Sequence, residues 1–129
     1  MSNSIAHVTY LVRSYDEAIS WFLSALNFKL FEDTPLDEGK RWVVMGPDTQ
    51  NGARLLLAQA ADADQIDQIG KAAGNRVAFF LHTDNFVAEH ARMLAAGVVF
   101  NEQPRHELYG TVAVFSDLYG NKWDLLQKT

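Results

Sequence analysis

The sequence predicts an α+β fold of two tandem βαβββ modules, and three observations carry that prediction. The stretch from Gly110 to Gln127 reads as a hairpin: Val112, Val114 and Phe115 are strand formers, Asp117 to Asn121 is turn chemistry, and Trp123 and Leu125 alternate beyond it. Two amphipathic helix patterns each follow a strand pattern. Finally, laying His7–Val12 over Ala78–Thr83 aligns Asn27-Phe28 with Gly97-Val98 across a single-residue gap, which argues for an internal duplication.

The elements follow in order. Residues 5 to 13 alternate as a strand with Val8, Tyr10 and Val12 on one side and His7, Thr9 and Leu11 on the other. Ser14 or Asp16 can cap a helix that buries Ala18, Ile19, Phe22, Leu23 and Leu26. Asn27 ends it in the left-handed conformation, which asparagine tolerates better than most residues. Strands at Lys29–Thr34, Arg41–Met45 and Arg54–Gln59 are separated by Pro35 to Gly39 and by Gly46-Pro47-Asp48. Ala60 to Gly74 is a linker with a short helix around Gln65 to Lys71.

Val77–Thr83 opens the second copy. Asp84 can cap a helix with Val87, Ala91 and Leu94 inward and Gly97 as terminator, and strands at Val98–Asn101, Tyr109–Phe115 and Lys122–Gln127 complete the module. Module one therefore covers about 5–59, the linker 60–75 and module two about 76–127 of a single domain of 129 residues. Modules of about fifty residues are marginal alone and are expected to bury surface against each other or a second subunit. Each helix covers one sheet face, and the helix-free faces can curve into a shared half-barrel cleft for a small molecule. Val8, Tyr10, Phe22, Leu26, Phe79, Leu81, Leu94, Trp123 and Leu125 are the expected core.

Apolar residues at 48% and charged residues at 21% are ordinary for a soluble globular chain. The absence of cysteine excludes disulfide and thiolate chemistry and leaves any metal to His, Asp and Glu. Eleven Lys and Arg against sixteen Asp and Glu, a formal charge of -5, disfavour nucleic-acid binding. The N-terminus has no leader pattern and no stretch reaches bilayer-spanning length, so the expectation is a cytoplasmic protein without a membrane partner.

A strand, a D-x-x-G-N turn at Asp117–Asn121 and a strand carrying Trp123-Asp124-Leu125 at the chain's end resemble the vicinal-oxygen-chelate superfamily of glyoxalases, extradiol dioxygenases and bleomycin-resistance proteins. His7–Val12 resembles its first strand, Ala18 to Phe28 its first helix, and Val77 to Asp84 its second opening strand. The resemblance implies a glyoxalase-like cleft, frequent homodimers and four metal-ligand positions. His7 matches the first and Asp124, one methylene shorter than the usual glutamate, the last. Leu56 and Ala78 stand at the other two. Two ligands rarely hold a catalytic metal, so the cofactor expectation is none or one divalent ion, Zn, Ni, Mn or Fe.

Other residues add chemistry. His82 lies four residues beyond Ala78, roughly 13 Å along the strand, and is read as lining the cleft mouth or capping the next helix. Arg105, His106 and Glu107 form a loop cluster in which Arg105 can hold a carboxylate and His106 or Glu107 can move a proton. Trp42, Phe80, Tyr109 and Tyr119 can supply an apolar wall, although aromatics at strand spacing are more often core. His90 reads as a surface residue. Two functions follow. One is a glyoxalase- or dioxygenase-like enzyme in which a metal, or His7, Asp124, Arg105, His106 and Glu107, stabilises an oxyanion or enolate. The alternative is a non-catalytic protein of bleomycin-resistance type that encloses a small planar ligand.

Overall fold

The computed structural model describes residues 1–129, and the chain forms two compact units, residues 1–69 and 70–129. Each contains a βαβββ-like repeat around its own mixed sheet.

In the first unit, β1 (His7–Val12) is followed by α1 (Tyr15–Ala25), β2 (Lys29–Pro35), β3 (Arg41–Gly46), β4 (Arg54–Gln59) and the short α2 (Ala63–Gln68). Its sheet runs β1-β4-β3-β2, with β1 parallel to β4 and the other pairs antiparallel. Ser14 caps α1 by accepting the Glu17 N–H, satisfying one of the donors a helix start leaves open. Asn27 has φ of 55° and turns the chain into β2. Tyr10, Val12, Ala18, Phe22, Val43, Met45 and Leu57 are buried between helix and sheet. Phe22 meets Tyr10 edge-on at 5.2 Å and stacks on Phe28 at 5.3 Å.

The second unit repeats the plan with β5 (Val77–His82), α3 (Phe86–Ala95), β6 (Val99–Phe100), β7 (Arg105–Glu107), β8 (Gly110–Ser116) and β9 (Lys122–Lys128). Its sheet runs β5-β9-β8-β6, β5 is parallel to β9 as β1 is to β4, and β7 pairs with β8 off this path. Phe115, Trp123, Leu125, Ala113 and Met93 fill its core. Gly110, at the start of β8, has φ of 153°, and a Cβ there would collide with the Gln127 carbonyl of β9. Glycine permits that approach.

Four expectations are corrected. The segment holding Arg105, His106 and Glu107 is a short antiparallel strand, not a loop, because its backbone pairs with Thr111 and its neighbours. The α3 cap is Asn85, whose side chain accepts the Ala88 N–H, rather than Asp84 or His82. The inward face of α3 is Phe86 and Met93, while Val87 is 80% and Leu94 50% exposed. Both stripes have helical spacing, and a shift of one residue rotates the buried face by about 100°. The short helix ends at Gln68 instead of Lys71, since Gly70, at φ of 80°, breaks it. Of the expected core, Tyr10, Phe22, Leu26, Trp123 and Leu125 are buried, Phe79 and Leu81 half-buried, and Val8 and Leu94 exposed, as is Leu23 of the expected α1 stripe.

Candidate functional site

Each sheet has a face that no helix of its unit covers, and strand parity decides which side chains occupy it. In the first unit the register pairs His7 with Arg54 and Thr9 with Leu56, and Leu56 with Val44. His7, Thr9, Leu56 and Val44 therefore share a face, joined by Trp42 two residues before Val44 and by Glu32 opposite it. The His7 ring meets Trp42 edge-on at 6.0 Å. Trp42 Nε1 donates to Glu32 Oε2 at 2.8 Å, which fixes the indole although the residue is 38% exposed. Beside them the Arg54 guanidinium lies 3.5 Å above the Phe31 ring. The imidazole thus packs against an aromatic ring.

In the second unit, β9 places Asp124 on the helix-free face between Phe80 of β5 and Val114 of β8, and Leu126 beside His82 and Val112. Phe80 is 63% exposed, an apolar ring offered to solvent. The Asp124 Oδ1 atom is buried and has no hydrogen-bond partner. Burial raises the acid's pKa above the usual range, an effect opposed by Arg105 and reinforced by Glu102. Asp124 consequently holds a proton more readily than an ordinary aspartate.

Arg105 faces this side through its pairing with Val112. Its Nε donates to Glu102 Oε1 at 2.7 Å and one terminal nitrogen to Glu107 Oε1 at 2.8 Å, and a side-chain bond to Tyr109 helps raise its pKa further. Much of its donor capacity is therefore spent within the chain. Glu102 also accepts the Val114 N–H at 2.9 Å, and the Arg105 contact holds its carboxyl below the usual range. This glutamate was not singled out in the sequence, although its i, i+3 spacing from Arg105 was available as a signal.

The structure thus gathers Asp124, Arg105, Glu107, Phe80 and His82 on one face of the second unit, and His7 and Trp42 on one face of the first. It separates others. His106 points to the opposite side of β7 from Arg105 and Glu107, where its Nδ1 lies 3.2 Å from the Thr111 hydroxyl, because neighbouring strand residues alternate. Tyr119 belongs to the β8–β9 turn, its amide donating to Asp117, whereas Tyr109, exposed in the β7–β8 turn, stays with Arg105 through their side-chain bond. His90, expected at the surface, is half-buried, stacked on Phe86 at 5.4 Å and edge-on to Phe100 at 4.5 Å.

A family metal needs donors on β1, β4, β5 and β9, and here β4 offers Leu56 and β5 offers Ala78 at an irregularity in the register. No three His, Asp or Glu side chains are grouped so as to hold an ion. The residues do not fit the metal centre. The family itself is nevertheless decided, because the model of the Glyoxalase/Bleomycin resistance protein/Dioxygenase superfamily matches residues 4–125. The chain belongs to that superfamily.

Other members lie close. An uncharacterized protein of Shewanella frigidimarina (strain NCIMB 400) is 50% identical over 98% of this chain and 95% of its own. The superfamily fold is matched by UcmS2, 28% identical with a TM-score of 0.83 and 98% of both chains covered. It is matched too by TnmS3, an antibiotic binding protein from Streptomyces sp. CB03234, 25% identical with a TM-score of 0.81 over 99% of this chain and 98% of that one. No helix is long and apolar enough to cross a membrane.

Proposed function

We propose that this superfamily member is a metal-independent small-molecule-binding protein whose ligand lies against the helix-free sheet faces. The observation that carries the reading is the donor set: Leu56 and Ala78 occupy two of the four family ligand positions, and no cluster of three donors exists elsewhere. The similarity to TnmS3, an antibiotic binding protein, supports the same class. Trp42 and Phe80 offer exposed rings for a planar ligand, and Asp124 and the Glu102–Arg105–Glu107 chain supply polar contacts at the second face. His82 and Tyr109 belong to the same proposal as rim residues. Enzymatic use of Asp124 as a proton donor is the second reading, favoured by its buried, unpaired Oδ1.

The half-barrel cleft, the single-domain arrangement, a homodimer and a cytoplasmic location complete the proposal. Fluorescence titration of the metal-free protein with naphthol tests it. Saturable quenching that survives a chelator and weakens about tenfold in Phe80→Ala is the expected result. Stoichiometric Zn, Ni, Mn or Fe in the purified protein, lost on His7→Ala, overturns the reading and returns a glyoxalase- or dioxygenase-type enzyme. Sedimentation at several concentrations tests the dimer.

A further inference from the structure

Four arginines are half-buried, and three of them are spent on carboxylates: Arg41 on Asp33 and Asp16, Arg92 on Glu89, and Arg105 on Glu102 and Glu107. Arg54 is the fourth. No carboxylate stands within ion-pair distance of it and its N–H groups have no acceptor in the chain, which has sixteen acids and a charge of -5. A partly desolvated cation without a counter-charge gains most from an anion brought to it.

The first unit's sheet explains how Arg54 is held. His7 of β1 pairs with Arg54 of β4, and the β3–β4 register, carried one pair beyond Met45 and Leu55, sets Gly46 against it. Both lie on the helix-free face, because alternation sends Leu55 and Met45 to the buried side. A Cβ on Gly46 would stand 3.3 Å from the Arg54 Cγ, so the glycine is what lets the stem cross β3 toward β2. There Phe31 sits at the irregularity between Leu30 and Glu32, and the guanidinium carbon lies 3.5 Å from its ring centroid. At that distance an upright guanidinium would drive a nitrogen into the ring. The fork therefore lies flat on Phe31 with its donors directed outward around the edge, ordered before any ligand arrives.

The acids nearby do not neutralise it. Lys29, whose ammonium is 5.2 Å from the same ring, balances Asp48 at 3.8 Å. Glu32 turns its carboxylate to the Trp42 indole, and Trp42 stands four residues before Gly46 on β3, roughly 13 Å along the strand. Aromatic surface fills the interval: the exposed His7 starts from the Arg54 row and its ring meets that of Trp42 at 6.0 Å.

On the reading that the ligand lies against the helix-free faces, we infer that the face of the first unit takes an aromatic carboxylate. The Arg54 fork donates to the two carboxylate oxygens, and the ring lies beside His7 and Trp42. The guanidinium thus selects an anion and the aromatic pair a planar one.

Isothermal titration of the full chain with 2-naphthoate, an anion at neutral pH, and with neutral 2-naphthol tests this. Naphthoate is expected to bind about tenfold more tightly, and added salt should shrink that preference in the parent protein. Acetate, which has the carboxylate and no ring, should not saturate at millimolar concentration. Arg54→Gln should bring naphthoate to the affinity of naphthol. Arg54→Lys, which keeps the charge without the fork, should recover only part of the preference, and melting midpoints matching the parent show that both variants fold. Naphthol binding as tightly as naphthoate, saturation by acetate, or an unchanged preference in Arg54→Gln would each overturn the inference while the general ligand reading stands. Saturation by neither naphthoate nor naphthol would defeat both.

Discussion

Trp123 donates its indole N–H to Asp117 Oδ2 at 2.9 Å, tying the second residue of β9 to the residue that opens the hairpin before it. Asp117 is buried and accepts three further bonds, from the Tyr119 and Asn121 amides at 3.0 Å and from the Asn121 side chain at 3.1 Å. One carboxylate therefore sets both the turn and the orientation of a core tryptophan. Asp117→Ala is expected to cost about 3 kcal/mol, since it leaves buried donors unpaired. Thermal denaturation followed by tryptophan fluorescence measures it, and an unchanged midpoint would refute the role.

Asp124 has the opposite character, a buried carboxyl oxygen with nothing to accept. Its folded pKa is raised by burial, so the folded chain binds the proton more tightly than the unfolded one, and stability falls as pH rises from about 4 through the raised value. Asp124→Asn should therefore melt higher than the parent at neutral pH. The difference should shrink to nothing on acidification below that window. A variant that melts lower at pH 7 would show that Asp124 has a partner in the folded state.

Glu102 links β8 to the Arg105 chain by accepting the Val114 N–H as well as the guanidinium. Its carboxyl is held below the usual range by Arg105 first, so its contribution is present at neutral pH and is lost as pH falls through that lowered value. Glu102→Ala should lose about 1 kcal/mol by leaving the Val114 N–H without this acceptor, and Glu102→Gln should lose less. Hydrogen exchange at the Val114 amide reads the effect directly. Faster exchange in the alanine variant than in the glutamine variant is expected.

Much of the chain was legible before any coordinates. Ser14 as one of two candidate caps, Asn27 in the left-handed region and the strand bounds at Arg54–Gln59 rest on local rules that act within a few residues. The face of α3 was not, because Val87-Ala91-Leu94 and Phe86-His90-Met93 satisfy the same spacing. Only packing chooses between them. His90 followed from that choice, since turning the helix moved it from the surface to a stack on Phe86.

For the site, the sequence by itself determined the inventory and its gaps: His7 and Asp124 where the family places donors, Leu56 and Ala78 where it would need two more, and no cysteine. Parity along a strand follows from the chain's own geometry, so His7 and Asp124 could be assigned to helix-free faces from residue numbers. Tertiary structure decided everything that depends on a neighbouring strand. Pairing of β7 with β8 turned an apparent loop cluster into a strand that sends Arg105 and Glu107 to one side and His106 to the other. Glu102 and Glu107 occupy the Arg105 guanidinium from nearby in the chain, and the N–H of Val114, twelve residues on, reaches Glu102 across the sheet. Hydrogen bonds across strands have no local sequence signature, because the register that makes them is set by the burial of Trp123, Leu125 and Phe115 on the opposite face.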